Sequence, residues 1–180
     1  MDGIDYGLIK KLPIKYHLLL FDIFNEMHAT SQYPDDWKKL YIHFISKGEN
    51  KGVRPIALTS CLCKLFETLI KNRLQWRWEF HKILPKTQSG FRKGKSCSDN
   101  LTNLKLQAEF SLQKGRHLLA AFLGVSGAFD NVRCDILLRK LSSIGCSENL
   151  VRFIHFLTYS RELFTDSLDN ECRTIGKGVP

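Results

Sequence analysis

The segment from Ser60 to Phe80 constrains the fold more than any other part of the sequence. Its apolar residues recur at spacings of three and four, which is the pattern of a helix with a broad apolar stripe. Ser60 stands where its hydroxyl can cap the first turn. Other elements must cover the stripe, so this segment predicts a core helix. The stripe consists of Leu62, Leu65, Phe66, Leu69, Ile70 and Leu74.

A helix and a strand pair are predicted before this segment. From Pro13 to Met27, apolar residues again recur at helical spacing: Tyr16, Leu20, Phe21, Phe24 and Met27. Side chains then alternate along residues 40–45, and residues 54–59 also read as a strand. The linker at residues 46–52 has turn composition, so the two strands predict a β-ribbon with a mobile tip.

Residues 88–96 read as a polar, glycine-bearing loop, and a helix is predicted from near Ser98. Leu101, Leu104 and Ala108 are expected to face inward from that helix. Residues 117–125 are an almost uninterrupted apolar run of strand length, which is typical of a strand covered on both faces.

Two short helices are predicted at residues 135–144 and 147–158. A hairpin follows, formed by residues 162–165 and 172–175. The order of elements predicts an α+β fold in which helices pack on a small, mostly antiparallel sheet.

The positive charge is concentrated in the middle of the chain. Residues 61–120 hold 12 basic residues against 4 acidic ones, which accounts for +8 of the net charge of +9. A local excess of this kind is typical of proteins that bind a polyanion such as nucleic acid, although solvated lysines on ordinary helices give the same count.

Composition also bears on membranes and metals. Since no apolar run reaches the ~20 residues of a membrane span, no membrane association is expected, and we predict an intracellular protein, in either cytoplasm or nucleus. The six cysteines stand at irregular spacings that fit no zinc module, so we expect reduced, mostly buried thiols.

Several phrases together resemble the reverse transcriptases of non-LTR retrotransposons, and they occur in that family's order. They are Asp2-Gly3-Ile4, Tyr33-Pro34-x-x-Trp37, Ser46-Lys47, Arg54-Pro55-Ile56-Ala57-Leu58 with Lys64 and Glu67 downstream, Gln88-Ser89-Gly90-Phe91-Arg92-x-Gly94-x-Ser96, Ala128-Phe129-Asp130-Asn131-Val132 and Gly178-Val179-Pro180.

The resemblance implies reverse-transcriptase fingers over residues 1–115 and an incomplete palm over residues 116–180. The chain starts inside the family's first phrase and stops before its paired-aspartate motif. We therefore expect a truncated or decayed copy, or a partial gene model.

The intact family uses Mg²⁺ held by palm carboxylates. The metal lowers the pKa of the primer hydroxyl and clamps the triphosphate. At the family's first aspartate position this sequence has Gly124, which offers no ligand. Asp130 is better explained as a turn or cap residue. No metal ligand and no catalytic residue are assigned, and this fragment is expected to bind no cofactor.

By resemblance, four residues would contact an incoming nucleotide: Lys47, Arg54, Ala128 and Phe129. Lys47 and Arg54 would close on the triphosphate from opposite ends of the ribbon turn, or be two solvated charges beside it. Phe129 would pack under the sugar, or be an ordinary core residue at the end of a strand.

Arg92, Lys93 and Lys95 are predicted to contact template phosphates, with Gly90 and Gly94 letting the backbone approach. Trp76 and Trp78 stand two residues apart on a helix and face different sides, so at most one could stack on a base. Packing is the expected role of both.

These inferences predict part of a reverse transcriptase domain that no longer polymerises DNA. The alternative is a non-catalytic remnant that still binds nucleic acid. Weak, salt-dependent binding to an RNA or DNA template is expected. We also expect self-association through the edge of the apolar strand at residues 117–125.

Overall fold

The computed structural model describes residues 3–46, 48, 52–159, 161–165 and 173–175. The helices are α1 (Tyr6–Lys11), α2 (Ile14–Thr30), α3 (Cys61–Phe80), α4 (Cys97–Gln113), α5 (Cys134–Ser143) and α6 (Glu148–Thr158), with a 3₁₀ turn at Asp35–Lys38. The strands are β1 (Lys39–Ser46), β2 (Val53–Leu58), β3 (Arg161–Thr165) and β4 (Arg173–Ile175).

The four strands form one sheet in the order β2-β1-β3-β4. β2 pairs with β1 and β4 pairs with β3 in antiparallel fashion, whereas β1 and β3 are parallel, with Leu40 opposite Leu163. The expected α+β fold with a small, mostly antiparallel sheet is therefore confirmed. The predicted ribbon and the predicted hairpin are both present, and the ribbon tip lies largely outside the described residues.

The chain divides into two units: residues 1–68 with 127–180, and residues 69–126. α3 begins in the first unit and continues into the second. The division into fingers-like and palm-like regions at residue 115 stays a prediction.

An aromatic cluster forms the core of the first unit. Phe66 of α3 stands at its centre, 5.1 Å from Phe24 of α2, 5.7 Å from Trp37 of the 3₁₀ turn and 4.9 Å from Phe153 of α6, measured between ring centroids. Tyr33 lies 4.8 Å from Phe153 and 5.9 Å from Phe66. These rings join elements distant in sequence. The predicted core helix is confirmed for its first half, whereas Leu69 of the predicted stripe is exposed.

Side chains cap the first turns of α3 and α4. The Ser60 hydroxyl accepts a hydrogen bond from the Leu62 amide at 3.2 Å, which fixes the start of α3. Ser147 precedes α6 but its side chain makes no capping hydrogen bond there, whereas Ser96 and Asp99 form a reciprocal capping box at the start of α4.

The prediction of a strand at residues 117–125 is wrong. This segment forms neither helix nor strand, and it pairs with no strand in the described part of the chain. Leu119 is 97% exposed, Leu123 is 94% exposed and Phe122 is 80% exposed. An apolar run of this length needs neighbouring strands on which to form its ladder, and β1 and β3 pair with other partners instead.

The prediction that three side chains of α4 face inward is also only partly correct. Leu104 and Ala108 are half-buried, but Leu101 is exposed, and no residue of α4 is fully buried. In α2, Phe24 is buried whereas Tyr16 and Phe21 are exposed. Helical periodicity identified the helices, but it does not say how much of each stripe a neighbour covers.

Within the described residues, no helix is both long enough and apolar enough to cross a membrane.

Candidate nucleic-acid interface

The loop that joins α3 to α4 carries the predicted phosphate contacts. It lies entirely in the second unit. Turn hydrogen bonds connect Gln88 N to the Pro85 carbonyl at 3.1 Å and Lys95 N to the Arg92 carbonyl at 3.3 Å. Gly94 has a φ of 74°, a conformation that glycine adopts without strain. The loop therefore has a defined backbone path.

Arg92 fixes this loop to the last turn of α3. Its Nε donates to Glu79 Oε1 at 2.8 Å, and its Nη2 donates to Glu79 Oε2 at 2.6 Å. Its Nη1 donates to the carbonyls of Pro85 and Gln88 at 2.7 and 3.0 Å. A guanidinium spans these acceptors because its donors form a rigid planar fork. The contact predicted between Arg92 and a template phosphate stays a prediction, and this geometry gives Arg92 a positioning role.

The ion pair shifts the pKa of both of its partners. The pKa of Glu79 lies below its ordinary value, first because Arg92 donates hydrogen bonds to the carboxylate. The pKa of Arg92 is raised by the same hydrogen bonds. Both groups are therefore charged at neutral pH.

Lys93 and Lys95 lie in the same loop and are both exposed. Lys95 Nζ donates to the Lys86 carbonyl at 3.1 Å. Lys93 makes no side-chain hydrogen bond or ion pair with the residues that the structure describes. The fixed loop thus presents two ammonium groups to solvent.

A polar cavity of ≈ 220 Å³ lies between this loop and the start of α4. Ser89 is buried at its wall and donates to Asn100 Oδ1 at 2.8 Å. Lys95 lines it, so the cavity is continuous with the basic loop. The other lining residues are Lys86, Thr87, Gly94, Asp99 and Asn103.

The predicted nucleotide contacts belong to the first unit. Lys47 lies outside the described residues, so the closing pair that it would form with Arg54 is untested. Arg54 is exposed on β2, opposite Ile45 of β1. Ala128 and Phe129 lie in the turn at residues 126–131, where Phe129 is 59% exposed. Phe129 is therefore neither at the end of a strand nor in the core.

The described residues do not fit a magnesium site. Gly124 is exposed and has no side chain, and no group of three or more His, Cys, Asp or Glu side chains in the described part of the chain could hold a metal ion. Asp130 lies in the turn that opens at Gly127, where the Asn131 amide donates to the Gly127 carbonyl at 3.0 Å. This placement agrees with a turn role for Asp130.

Two features of the second unit were missed in the sequence. Glu79, the partner of Arg92, lies 13 residues away in sequence, and no local pattern links the two. Trp76 stacks on Phe80, with ring centroids 5.2 Å apart and ring planes at 16°. Their spacing of four on a helix is the sequence signal that predicts such a pair.

Comparison with known proteins bears on the identity of the chain. Residues 45–180 match the family described as "Reverse transcriptase (RNA-dependent DNA polymerase)". Two fruit-fly proteins from Drosophila melanogaster are similar. The probable RNA-directed DNA polymerase from transposon BS is 33% identical over 80% of this chain, and the RNA-directed DNA polymerase from mobile element jockey is 28% identical over 99% of it.

The chain spans only a small part of these relatives, namely 16% of the transposon BS protein and 20% of the jockey protein. The family model nevertheless covers most of the chain, including the α3–α4 loop, the position of Gly124 and the turn at Phe129. The family predicted from the ordered sequence phrases is thereby confirmed: this chain belongs to the reverse transcriptase family, as part of such a domain from a non-LTR retrotransposon.

Proposed function

We propose that this chain binds nucleic acid through the α3–α4 loop and does not polymerise DNA. The observation that carries the binding is the position of Lys93 and Lys95, which are exposed on a loop that Arg92 holds against α3. Arg92 fixes the loop without contributing its own charge to solvent. The surrounding unit, residues 69–126, holds 11 basic residues against 3 acidic ones.

This binding is weak and independent of base sequence, because the lysines would contact phosphates rather than base edges. Each phosphate contact releases a condensed counterion, so affinity falls steeply as salt is added. RNA and DNA templates both present these phosphates.

A salt titration tests this part of the proposal. The double change Lys93→Ala, Lys95→Ala should lower the slope of log affinity against log salt by about 2 on duplex nucleic acid. The control is Lys10→Ala, Lys11→Ala, which removes two exposed lysines from α1 in the first unit and should leave the slope unchanged. Equal slopes for all three proteins would make the loop lysines solvated charges.

The absence of polymerisation rests on Gly124. Nucleotide addition in this family needs carboxylates that hold two metal ions, and the first of those positions has no side chain here. RNA-directed DNA polymerisation is the activity that the names of the relatives give to those proteins, and this chain is proposed to lack it.

Primer extension with Mg²⁺ or Mn²⁺ tests this second part. Neither the chain nor its Gly124→Asp variant should extend a primer above a no-enzyme control, since one carboxylate does not complete a two-metal site. A Cβ at Gly124 would meet nothing within 4 Å, so a failed rescue cannot be blamed on packing. Incorporation by either protein would overturn the proposal.

The nucleotide contacts carried by resemblance are part of the same proposal. Arg54 is exposed on β2, where its guanidinium is open to a triphosphate, and Lys47 would act with it. Ala128 and Phe129 would contact the nucleotide, with Phe129 under the sugar. Arg54→Ala should weaken binding of a fluorescent nucleoside triphosphate, and unchanged binding would remove Arg54 from the set.

A further inference from the structure

The last turns of α3 carry an exposed aromatic pair that no role described above uses. Trp76 is 65% exposed and Phe80 is 66% exposed, although large aromatic side chains are normally covered. Their rings lie nearly parallel, so the pair presents flat aromatic surface to solvent. His81 packs edge-on against Phe80, with centroids 5.1 Å apart.

The setting of this pair is basic. Arg73 precedes Trp76 by three residues and therefore lies on the same side of the helix, and it is exposed. Within residues 69–126, basic residues outnumber acidic ones by 11 to 3. One of the three acidic residues is Glu79, which is already paired with Arg92. A polyanion is therefore the complementary partner for this face.

The Arg92–Glu79 ion pair also connects the aromatic pair to the basic loop. Glu79 immediately precedes Phe80 in the last turn of α3, and its carboxylate holds the loop that carries Lys93 and Lys95. An exposed aromatic pair and a loop with two exposed lysines are thus held at the same end of α3.

We infer that Trp76 and Phe80 form a stacking platform for the bases of single-stranded nucleic acid whose phosphates contact the α3–α4 loop. This inference rests on the proposed nucleic-acid binding and specifies that the ligand is single-stranded. Inside a duplex, the base faces are covered by neighbouring bases and cannot reach a protein ring. Unpaired bases can stack on aromatic side chains, whatever their sequence.

The test compares a 20-nucleotide oligouridylate with a blunt RNA duplex of the same length. The single strand should bind more tightly and should quench tryptophan fluorescence. Trp76→Ala, Phe80→Ala should weaken single-strand binding about tenfold or more and leave duplex binding unchanged. Trp76→Phe keeps an aromatic ring and should retain most of the affinity.

The matched control is Phe110→Ala. Phe110 is 58% exposed on α4 in the same unit, with Lys114 Nζ 4.0 Å from its ring centroid, but it stacks on no other ring in the described part of the chain. Its removal should change neither affinity. A circular dichroism melt of each variant separates a lost platform from a lost fold.

The outcomes are distinct. If the double aromatic variant binds the single strand as the parent does, the platform is wrong while the lysine contacts stand. If neither oligonucleotide binds at low salt, the proposed function itself fails. If the variant loses self-association in sedimentation but keeps its affinity for the single strand, the face is a protein interface and the inference is overturned.

Discussion

At the scale of single residues, Arg92 shows how a motif residue can act through its neighbours. Four donated hydrogen bonds connect it to one carboxylate and two carbonyls. The side chain of Arg92 is only 9% exposed, whereas Lys93 and Lys95 in the same loop are open to solvent. The arginine of the motif therefore supports the loop, and the lysines supply the accessible charge.

Replacement of Arg92 by lysine separates these two roles. Arg92→Lys keeps the charge but lacks the planar fork, so it should lose the hydrogen bonds to Glu79 and to the loop carbonyls and behave like Arg92→Ala. Both variants should speed amide hydrogen exchange in residues 85–96 and weaken nucleic-acid binding. If Arg92→Lys binds as the parent does and its loop stays protected, charge alone is what matters at this position.

Acid should weaken the Arg92–Glu79 ion pair. Because the pKa of Glu79 is lowered in the folded chain, the ion pair contributes stability above the ordinary carboxyl range. That contribution is lost as pH falls through the lowered pKa. Loop exchange, corrected for the intrinsic effect of pH, should therefore rise in the parent on acidification below about pH 4.5. Glu79→Gln should remove this pH dependence.

The pKa of Glu67 is shifted in the opposite direction to that of Glu79. Burial raises its pKa above the ordinary value, and Cys63 Sγ donates to its Oε1 at 3.7 Å. The same burial raises the pKa of the Cys63 thiol to about 12, so that thiol stays protonated. A raised carboxyl pKa means that stability falls as pH rises through it.

Glu67→Gln should therefore raise the melting temperature at pH 7, where the parent carries a partly buried charge. The gain should shrink as pH falls towards 4.5 and the parent carboxyl takes up a proton. Thermal melts across this pH range check the sign. A variant that is less stable at pH 7 would show that the carboxylate makes a favourable contact there.

At the scale of elements, the apolar segment at residues 117–125 is the main departure from expectation. Leu119, Phe122 and Leu123 are almost fully open to solvent without forming a strand. Burying side chains of this size yields about 1.5–3 kcal/mol each, so their exposure favours association. Self-association through this segment stays a prediction. It would occur through exposed apolar side chains rather than through a strand edge.

The triple change Leu119→Ser, Phe122→Ser, Leu123→Ser should reduce concentration-dependent self-association in sedimentation velocity. It should leave the thermal melt nearly unchanged, since these side chains contribute little to the fold. Leu112→Ser, at a 70% exposed position on α4, serves as the control. A parent that sediments as a monomer at all concentrations would refute the prediction.

At the scale of the whole molecule, apolar burial is unequal between the two units. The buried hydrophobic residues of the described chain all lie in residues 1–68 and 127–180, with Phe66 at the centre of the aromatic cluster. Among the described residues of the second unit, Ser89 is the one that is fully buried. The first unit should therefore be the more stable of the two.

Two measurements test this difference. Phe66→Ala should destabilise the fold by about 3–5 kcal/mol, whereas Phe110→Ala at an exposed position should change it little. In native hydrogen exchange, α6 should be protected longer than α4, which has no buried residue. Equal protection of the two helices would show that the second unit is stabilised in another way.

Local pattern was enough to predict most elements. Helical spacing identified α3, α4 and α6, and a serine marked the starts of α3 and α6, because these signals act within a few residues of the chain. Alternation and turn composition located β1 with β2, and β3 with β4, for the same reason. The sequence also indicated the basic loop and showed the glycine in place of a carboxylate at position 124. The ordered phrases identified the family.

Contacts between distant residues were decided by the tertiary structure. The parallel pairing of β1 with β3, the Arg92–Glu79 ion pair and the exposure of residues 117–125 each depend on which segments meet in space. An apolar run is compatible with a buried strand or with an open segment, and its surroundings choose between them. Periodicity fixes the face that a segment offers, whereas only the folded chain determines whether a partner covers that face.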